Sequence, residues 1–154
     1  MDNGPHAIDL VRHLFGEIDR ITGEATESQA YGVEDTVTLM VRAAQGPVGT
    51  VDLSWTTTVP SRTYLEIYGE QGAVLADLHG ISYRYGSWAD WKRIPNRTGP
   101  QEAFSRQIGH FLDVIDGRRL PLVTPEDGLS VQRLIEAAYG GVRASHWGGE
   151  AVRA

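Results

Sequence analysis

The sequence predicts an α+β fold, with an open, predominantly antiparallel β-sheet and helices packed on one face. Two observations predict it. An amphipathic helical segment comes first, six short β segments separated by glycine follow it, and two more helical segments come after these. The loops Gln45–Pro47 and Gly69–Gly72 are too short for crossover connections, so the strands they join should be antiparallel neighbours.

The first helix is predicted to run to Phe15 and to end at Gly16. Pro5 suits the first helical position, because its missing N–H has no intrahelical partner there, and Gly4 is then the expected N-cap. Apolar residues at helical spacing are Ala7, Leu10, Val11, Leu14 and Phe15. This stripe should pack on the sheet, leaving His6, Asp9 and His13 on the opposite flank.

The β segments are predicted at Ile18–Thr26, Thr36–Ala44, Val48–Thr57, Thr63–Tyr68, Ala73–Asp77 and Ile81–Tyr85. In the second segment, Val37, Leu39, Val41 and Ala43 alternate with Thr36, Thr38, Met40 and Arg42. In the third, Val51, Leu53 and Trp55 alternate with Asp52, Ser54 and Thr56. Each of these two strands should therefore bury one face and expose the other.

A loop rich in Trp, Pro and Arg is predicted from Gly86 to Pro100. The second helix spans Phe104 to Ile115 and stops at Asp116-Gly117. Thr124–Asp127 opens the third helix, which continues to Val142. The tail Gly148–Ala154 is expected to form an edge strand or to fray.

The bulk properties indicate one soluble domain covering residues 1–154. The formal charge of -6 argues against a nucleic-acid partner, and no apolar run is long enough to span a membrane. The chain has no cysteine and no apolar signal region, so a cytoplasmic location is expected.

Candidate acid–base residues surround the start of the first helix: Asp2, His6 and Asp9. The exposed N–H groups of a helix start favour a neutral His6 ring, which can accept a proton. Asp9 lies three residues on and can orient the imidazole, while Asp2 can reach the ring or a substrate hydroxyl from the loop side. The alternative is a frayed Asp2 beside a solvated helix surface.

No metal site is predicted, because His6 and His13 lie two turns apart, roughly 10 Å along the axis, too far to share an ion. No cofactor-binding residue is predicted either, since the sequence contains no Gly-x-Gly-x-x-Gly. Trp88 lies with Trp91 in the loop after the last strand. Its ring could line a sugar-sized pocket or pack at an interface.

The segment Asp2-Asn3-Gly4-Pro5-His6-Ala7-Ile8-Asp9 resembles the Asp-x-Gly-x-His-x-x-Asp segment that opens the C-terminal domain of the Gfo/Idh/MocA family of NAD(P)-dependent sugar and inositol oxidoreductases. Further matches, in family order, are Glu34–Thr36, Ser54-Trp55, Tyr68–Gly72, Phe104 with His110-Phe111, Glu126–Leu129 and Glu136–Tyr139. The resemblance implies an open sheet whose free face makes oligomer contacts. It also implies that Asp2 and His6 are the catalytic carboxylate and histidine, and that Asp9 supports them or contacts substrate.

The family's Rossmann domain, with its glycine-rich phosphate loop, is missing from the sequence. The chain alone is therefore expected to bind no NAD(P) and not to act as a dehydrogenase. Three functions stay open: the substrate-binding and oligomerisation half of a hydride-transfer enzyme, a non-redox isomerase or lyase acting on a sugar-like molecule, and a catalytically silent binding or dimer module. The expected partners are a second copy bound through the sheet face, a separate Rossmann subunit and a sugar or polyol.

Overall fold

The computed structural model describes residues 3–27, 33–58 and 61–144. Helices and strands follow in the order α1 (Gly4–Phe15), β1 (Ile18–Glu27), β2 (Glu34–Ala43), β3 (Val48–Ser54), β4 (Leu65–Gly69), β5 (Gly72–Asp77), β6 (Gly80–Tyr85), β7 (Lys92–Pro95), α2 (Pro100–Ile115) and α3 (Pro125–Ala144). The strands form two open antiparallel sheets, β1-β2-β3 and β4-β5-β6-β7. The predicted α+β class is confirmed, with two sheets in place of one.

The chain divides into two compact units. Unit 1 contains Met1–Thr57 and Val123–Ala154, and unit 2 contains Thr58–Leu122. The expectation that residues 1–154 behave as one domain stays a prediction. The predicted tail strand, Gly148–Ala154, lies outside the described residues.

Helix α1 begins one residue earlier than predicted. Asn3 is the N-cap and Gly4 is already helical, so the expectation of Gly4 as the cap was wrong. The shift is tolerated because none of the first four N–H groups of a helix has an intrahelical acceptor. Pro5 has no N–H, so its position as the second helical residue removes no backbone hydrogen bond. The helix ends as predicted at Gly16, whose φ of 81° lies in the region that favours glycine.

The core of unit 1 lies between its sheet and the helices α1 and α3. The predicted inward residues of β2, Val37, Leu39, Val41 and Ala43, are all buried. They belong to a core completed mainly by Ile8 of α1, Ile18 and Ile21 of β1, Val51 of β3, and Val131 and Ala138 of α3. Two helices thus cover one face of this sheet, as the alternating pattern of β2 requires.

The other face of this sheet is exposed and polar. Thr38 Oγ1 donates a hydrogen bond of 2.8 Å to Asp52 Oδ1 on the neighbouring strand. Thr36 Oγ1 and Ser54 Oγ lie 2.9 Å apart and share a second cross-strand bond. These hydroxyl and carboxylate groups therefore bond to one another across the sheet while remaining open to water.

Trp55 was predicted to point inward with Val51 and Leu53, and this was wrong. Strand β3 ends at Ser54, and the Trp55 side chain is 68% exposed. The Ser54 hydroxyl accepts hydrogen bonds from the backbone N–H groups of Thr56 and Thr57, each 3.2 Å long. Such local side-chain bonds turn the chain out of the extended conformation, so the alternation stops before Trp55.

Strand β7 lies inside the segment predicted as a loop from Gly86 to Pro100, so that part of the prediction was wrong. Its four residues contain a single aliphatic side chain, Ile94, and give no alternation to detect. The strand pairs with β6 at the edge of the sheet, where Pro95 is tolerated. Arg93 also reaches across β6, with Nη2 donating to both Asp77 carboxylate oxygens at 2.8 and 3.0 Å.

We expect Asp77 to make unit 2 sensitive to acid. The bonds from Arg93, and after them the N–H of His79, hold the pKa of Asp77 below its ordinary value of 3.8. A carboxyl group whose pKa is lower in the folded state stabilises the fold above its unfolded pKa, and this contribution disappears as the pH falls through the folded pKa. Asp77→Asn should therefore lower the urea concentration at which unit 2 is half unfolded at pH 7. Below about pH 4, the midpoint of the variant should decrease less with falling pH than that of the unmodified chain.

Urea denaturation at a series of pH values, followed by amide signals of β5 and β6, measures this effect. Asp90→Asn is the matched control, because Asp90 is an exposed carboxylate just before β7. Identical pH profiles for the Asp77 and Asp90 variants would show that the Arg93 contact does not hold β7.

Helix α2 is amphipathic, yet none of its residues is buried. Its large apolar side chains, each more than half exposed, are Phe104, Ile108, Phe111, Leu112 and Ile115. Within the described part of the chain, this stripe is therefore left open to water.

Candidate functional site

His6 lies in the first turn of α1 and is exposed. The Asn3 side chain makes no capping hydrogen bond, and the first turn contains no acidic residue. The N-cap Asn3 contributes its carbonyl oxygen, which accepts the N–H of Ala7 at 3.1 Å. His6 therefore lies in the positive field of a helix N-terminus that no protein carboxylate of the first turn neutralises.

Asp9 lies one turn further along α1, and its side chain is 46% exposed. Its nearest cationic partner is Arg12, whose Nη1 is 3.9 Å from Asp9 Oδ1. No hydrogen bond or ion pair joins His6 to Asp9, although both belong to the described chain. The predicted contact, in which Asp9 orients the His6 imidazole, is therefore not formed in the structure.

Arg12 is a functional candidate that the sequence analysis missed. Its side chain is only 8% exposed, and Nη2 donates a 2.7 Å hydrogen bond to Oε1 of Glu17, the residue before β1. Nη1 donates to the Asp127 carbonyl oxygen at 3.3 Å, and Nη2 lies 3.6 Å from Asp127 Oδ1. The bond to Glu17 raises the pKa of Arg12, so the guanidinium stays charged. Three carboxylates, from α1, from the residue before β1 and from α3, therefore lie within 4 Å of one cation.

Asp127 also caps its own helix. Its Oδ2 accepts bonds from the backbone N–H of Thr124 at 2.9 Å and from Thr124 Oγ1 at 2.8 Å. These bonds, followed by the charge of Arg12, lower the pKa of Asp127. The sequence indicates this acidic helix start, but not its contact with α1.

A second polar contact joins α3 to β2. Tyr139 Oη donates to Glu34 Oε1, and this bond lowers the pKa of Glu34. The two residues are separated by 105 positions, so no local pattern could have paired them. The contact fixes the beginning of β2 against the second half of α3.

The predicted site residues fall into three groups. His6 and Asp9 share α1, as expected. Asp2 lies outside the described residues. Trp88 belongs to unit 2, in the segment between β6 and β7, and its side chain is 97% exposed. The proposed roles of Asp2 and Trp88 stay predictions.

Two further features bear on ligands. Among the described residues, no three His, Asp or Glu side chains are grouped closely enough to hold a metal ion. Unit 2 carries an open depression of about 550 Å³, lined mainly by apolar atoms of residues such as Ile67, Val74 and Tyr83. None of the predicted site residues lines it.

Residues 1–75 match the family described as GFO/IDH/MocA C-terminal domain. This part of the chain is similar to the GFO/IDH/MocA C-terminal domain. The family resemblance noted in the sequence is thereby confirmed. A curated relative, D-xylose 1-dehydrogenase (NADP(+)) 2 of Haloferax volcanii, is 24% identical over 144 residues, which are 90% of this chain and 44% of the relative. This chain thus spans less than half the length of that relative.

Solved structures agree on the fold of this chain. An oxidoreductase from Agrobacterium radiobacter in complex with NAD+, L-tartaric acid and magnesium has a TM-score of 0.75 and 19% identity, with 93% of this chain and 46% of that chain covered. An aldose-aldose oxidoreductase from Caulobacter crescentus, complexed with glycerol, has a TM-score of 0.74 and 22% identity, with 93% and 44% covered. In the described part of the present chain, no helix is both long and apolar enough to cross a membrane.

Proposed function

We propose that this chain provides the substrate-binding and oligomerisation half of a sugar or polyol oxidoreductase, with His6 as the proton acceptor. The observation that carries the proposal is the family match over residues 1–75, which includes the segment from Asp2 to Asp9. The names of the xylose dehydrogenase and aldose oxidoreductase relatives support a sugar-like substrate. The exposed position of His6 at an open helix N-terminus leaves its ring accessible to a small molecule.

The residues of this chain fit the proton step and not the redox step. The His6 imidazole would accept the proton of a substrate hydroxyl, while Asp2 assists and Asp9 supports the site. Considered by itself, the exposed Trp88 ring on unit 2 would offer a flat apolar surface to a sugar. NAD(P) would supply the hydride acceptor, but the sequence contains no glycine-rich phosphate loop to hold it. The proposal therefore places the dinucleotide site outside the residues of this chain.

Two partners belong to the same proposal. A dinucleotide-binding unit would correspond to the part of the relatives that this chain does not span. A second copy would bind through a sheet face, although the free face of unit 1 offers hydroxyls and carboxylates that already have partners. A cytoplasmic location also stays a prediction.

Replacing His6 should weaken sugar binding. Removing a hydrogen-bonding partner of a substrate hydroxyl costs about 1 to 2 kcal/mol, so we expect His6→Asn to raise the Kd for the preferred sugar about tenfold. Calorimetric titration with D-xylose, D-glucose and myo-inositol identifies that sugar for the unmodified chain and then measures the variant.

His13→Asn is the matched control, because His13 is an exposed histidine of the same helix. Its Kd should equal that of the unmodified chain. Equal Kd values for the His6 and His13 variants, or no heat of binding with any of these sugars and with other aldoses and polyols, would contradict the proposal.

A further inference from the structure

Three polar residues follow one another at single-turn spacing on α1: His6, Asp9 and Arg12. Side chains three residues apart on a helix are neighbours, so Asp9 can reach either of the other two. In the structure it faces Arg12, with Oδ1 and Nη1 3.9 Å apart, and makes no bond to His6. The carboxylate thus has two possible partners and faces only one.

The environment of Arg12 explains this choice. The Arg12 side chain is only 8% exposed, and its guanidinium contacts Glu17 and both the carbonyl and the carboxylate of Asp127. A cation fixed at several points loses little further freedom when it attracts one more carboxylate. Among the residues that the structure describes, His6 has no comparable anchor, and it is exposed. The Asp9 carboxylate is therefore attracted to Arg12, in the C-terminal half of α1, and not to His6.

The elements that pack on α1 add no competing cation. Helix α3 contributes Asp127, whose charge is directed at Arg12. Strand β3 contributes Val51 to the shared core and places Asp52 on the opposite face, where it accepts from Thr38. On α1 itself, His13 is exposed. Arg12 is thus the single ion-pair partner of Asp9 among the described residues.

We propose that Arg12 is a positioning residue for His6, because it holds Asp9 away from the imidazole and so leaves both ring nitrogens available to a substrate. This inference rests on the proposed function, in which His6 accepts a proton. In this arrangement Arg12 keeps the Asp9 carboxylate from bonding to the His6 ring. The His6 imidazole then accepts a proton without a permanent hydrogen bond to Asp9.

The tautomer of the His6 ring tests this inference without a substrate. In Arg12→Met, Asp9 is released and should accept a hydrogen bond from His6 Nδ1–H. We expect the ratio of the Nδ1–H to the Nε2–H tautomer to rise about twofold, as is typical for the strength of side-chain pairs one turn apart on a helix. Long-range ¹H–¹⁵N spectra of the imidazole rings measure this ratio, and the His6→Asn spectrum assigns the His6 signals.

A second substitution separates this effect from a general distortion of α1. Adding Asp9→Asn to Arg12→Met should return the His6 ratio to its original value, and Asp9→Asn alone should leave it unchanged. The His13 signals should stay constant throughout. An unchanged ratio in Arg12→Met, or a raised ratio that persists after Asp9→Asn is added, would overturn the inference.

Arg12→Lys provides a variant that keeps the charge if the Met variant does not fold. A lysine cannot reach Glu17, Asp127 and Asp9 with one planar group, so a smaller rise in the same ratio is expected. No rise in a folded Arg12→Lys would also overturn the inference. These outcomes do not depend on sugar binding, whereas the proposed function fails when His6→Asn binds sugar as tightly as the unmodified chain.

Discussion

Leu39→Ala should destabilise unit 1 by about 2 to 5 kcal/mol, the range typical for deleting a fully buried leucine side chain. Leu39 is one of the two largest fully buried side chains in the described chain, and it lies on the central strand of the sheet β1-β2-β3. Both flanking strands are held by β2, so the site has little freedom to collapse around a cavity. The loss should therefore approach the upper part of that range.

Chemical denaturation followed by circular dichroism measures this change. The matched control is Met40→Ala, which alters the next residue on the same strand, where the side chain points to the free face and is 58% exposed. The control should change the free energy of unfolding by less than about 1 kcal/mol. Comparable losses at the two positions would mean that β2 does not present one buried face to α1 and α3.

Gly72→Ala should destabilise unit 2 by about 1 to 3 kcal/mol, as overpacking in a filled site typically does. A Cβ atom at this position would lie 2.1 Å from the carbonyl oxygen of Arg84, which belongs to the neighbouring strand β6. Backbone atoms cannot rotate away as a side chain can, so the clash must be relieved by separating β5 from β6. Pairing at the end of this hairpin should then be lost.

Hydrogen exchange of the β5 and β6 amides, together with thermal melting, detects that loss. Gly69→Ala is the matched control, because Gly69 lies directly opposite Gly72 and its added Cβ would meet nothing closer than 3.9 Å. We expect the control to exchange as slowly as the unmodified chain. Fast exchange in both variants, or in neither, would contradict the close approach of β6 to Gly72.

The sequence pattern predicted those features that depend on neighbouring residues. The end of α1 at Gly16 follows from the backbone freedom of glycine, and the inward residues of β2 follow from strict alternation. Strands β1 to β6 lie where apolar and β-branched residues indicated, with ends shifted by a few residues. Trp55 deviated because the Ser54 hydroxyl, and not the apolar pattern, ends its strand.

The features that depend on distant residues were not predictable in this way. The division of the strands into two sheets depends on pairing, which alternation within a single strand does not specify. The Arg12 to Asp127 contact spans 115 positions. Helical spacing placed Asp9 within reach of His6, but it could not show that a buried guanidinium attracts the same carboxylate more strongly. The sequence thus predicted that His6 and Asp9 share α1, but it did not predict the contacts that Asp9 makes.

The free face of the first sheet also provides a place to attach a reporter. The chain contains no cysteine, so a thiol introduced there would be its only reactive sulfur. Met40 is suited to this, because it lies on the central strand, is largely exposed and points away from the core. A spin label at this position would measure the separation between two copies directly and would show whether they meet through this face.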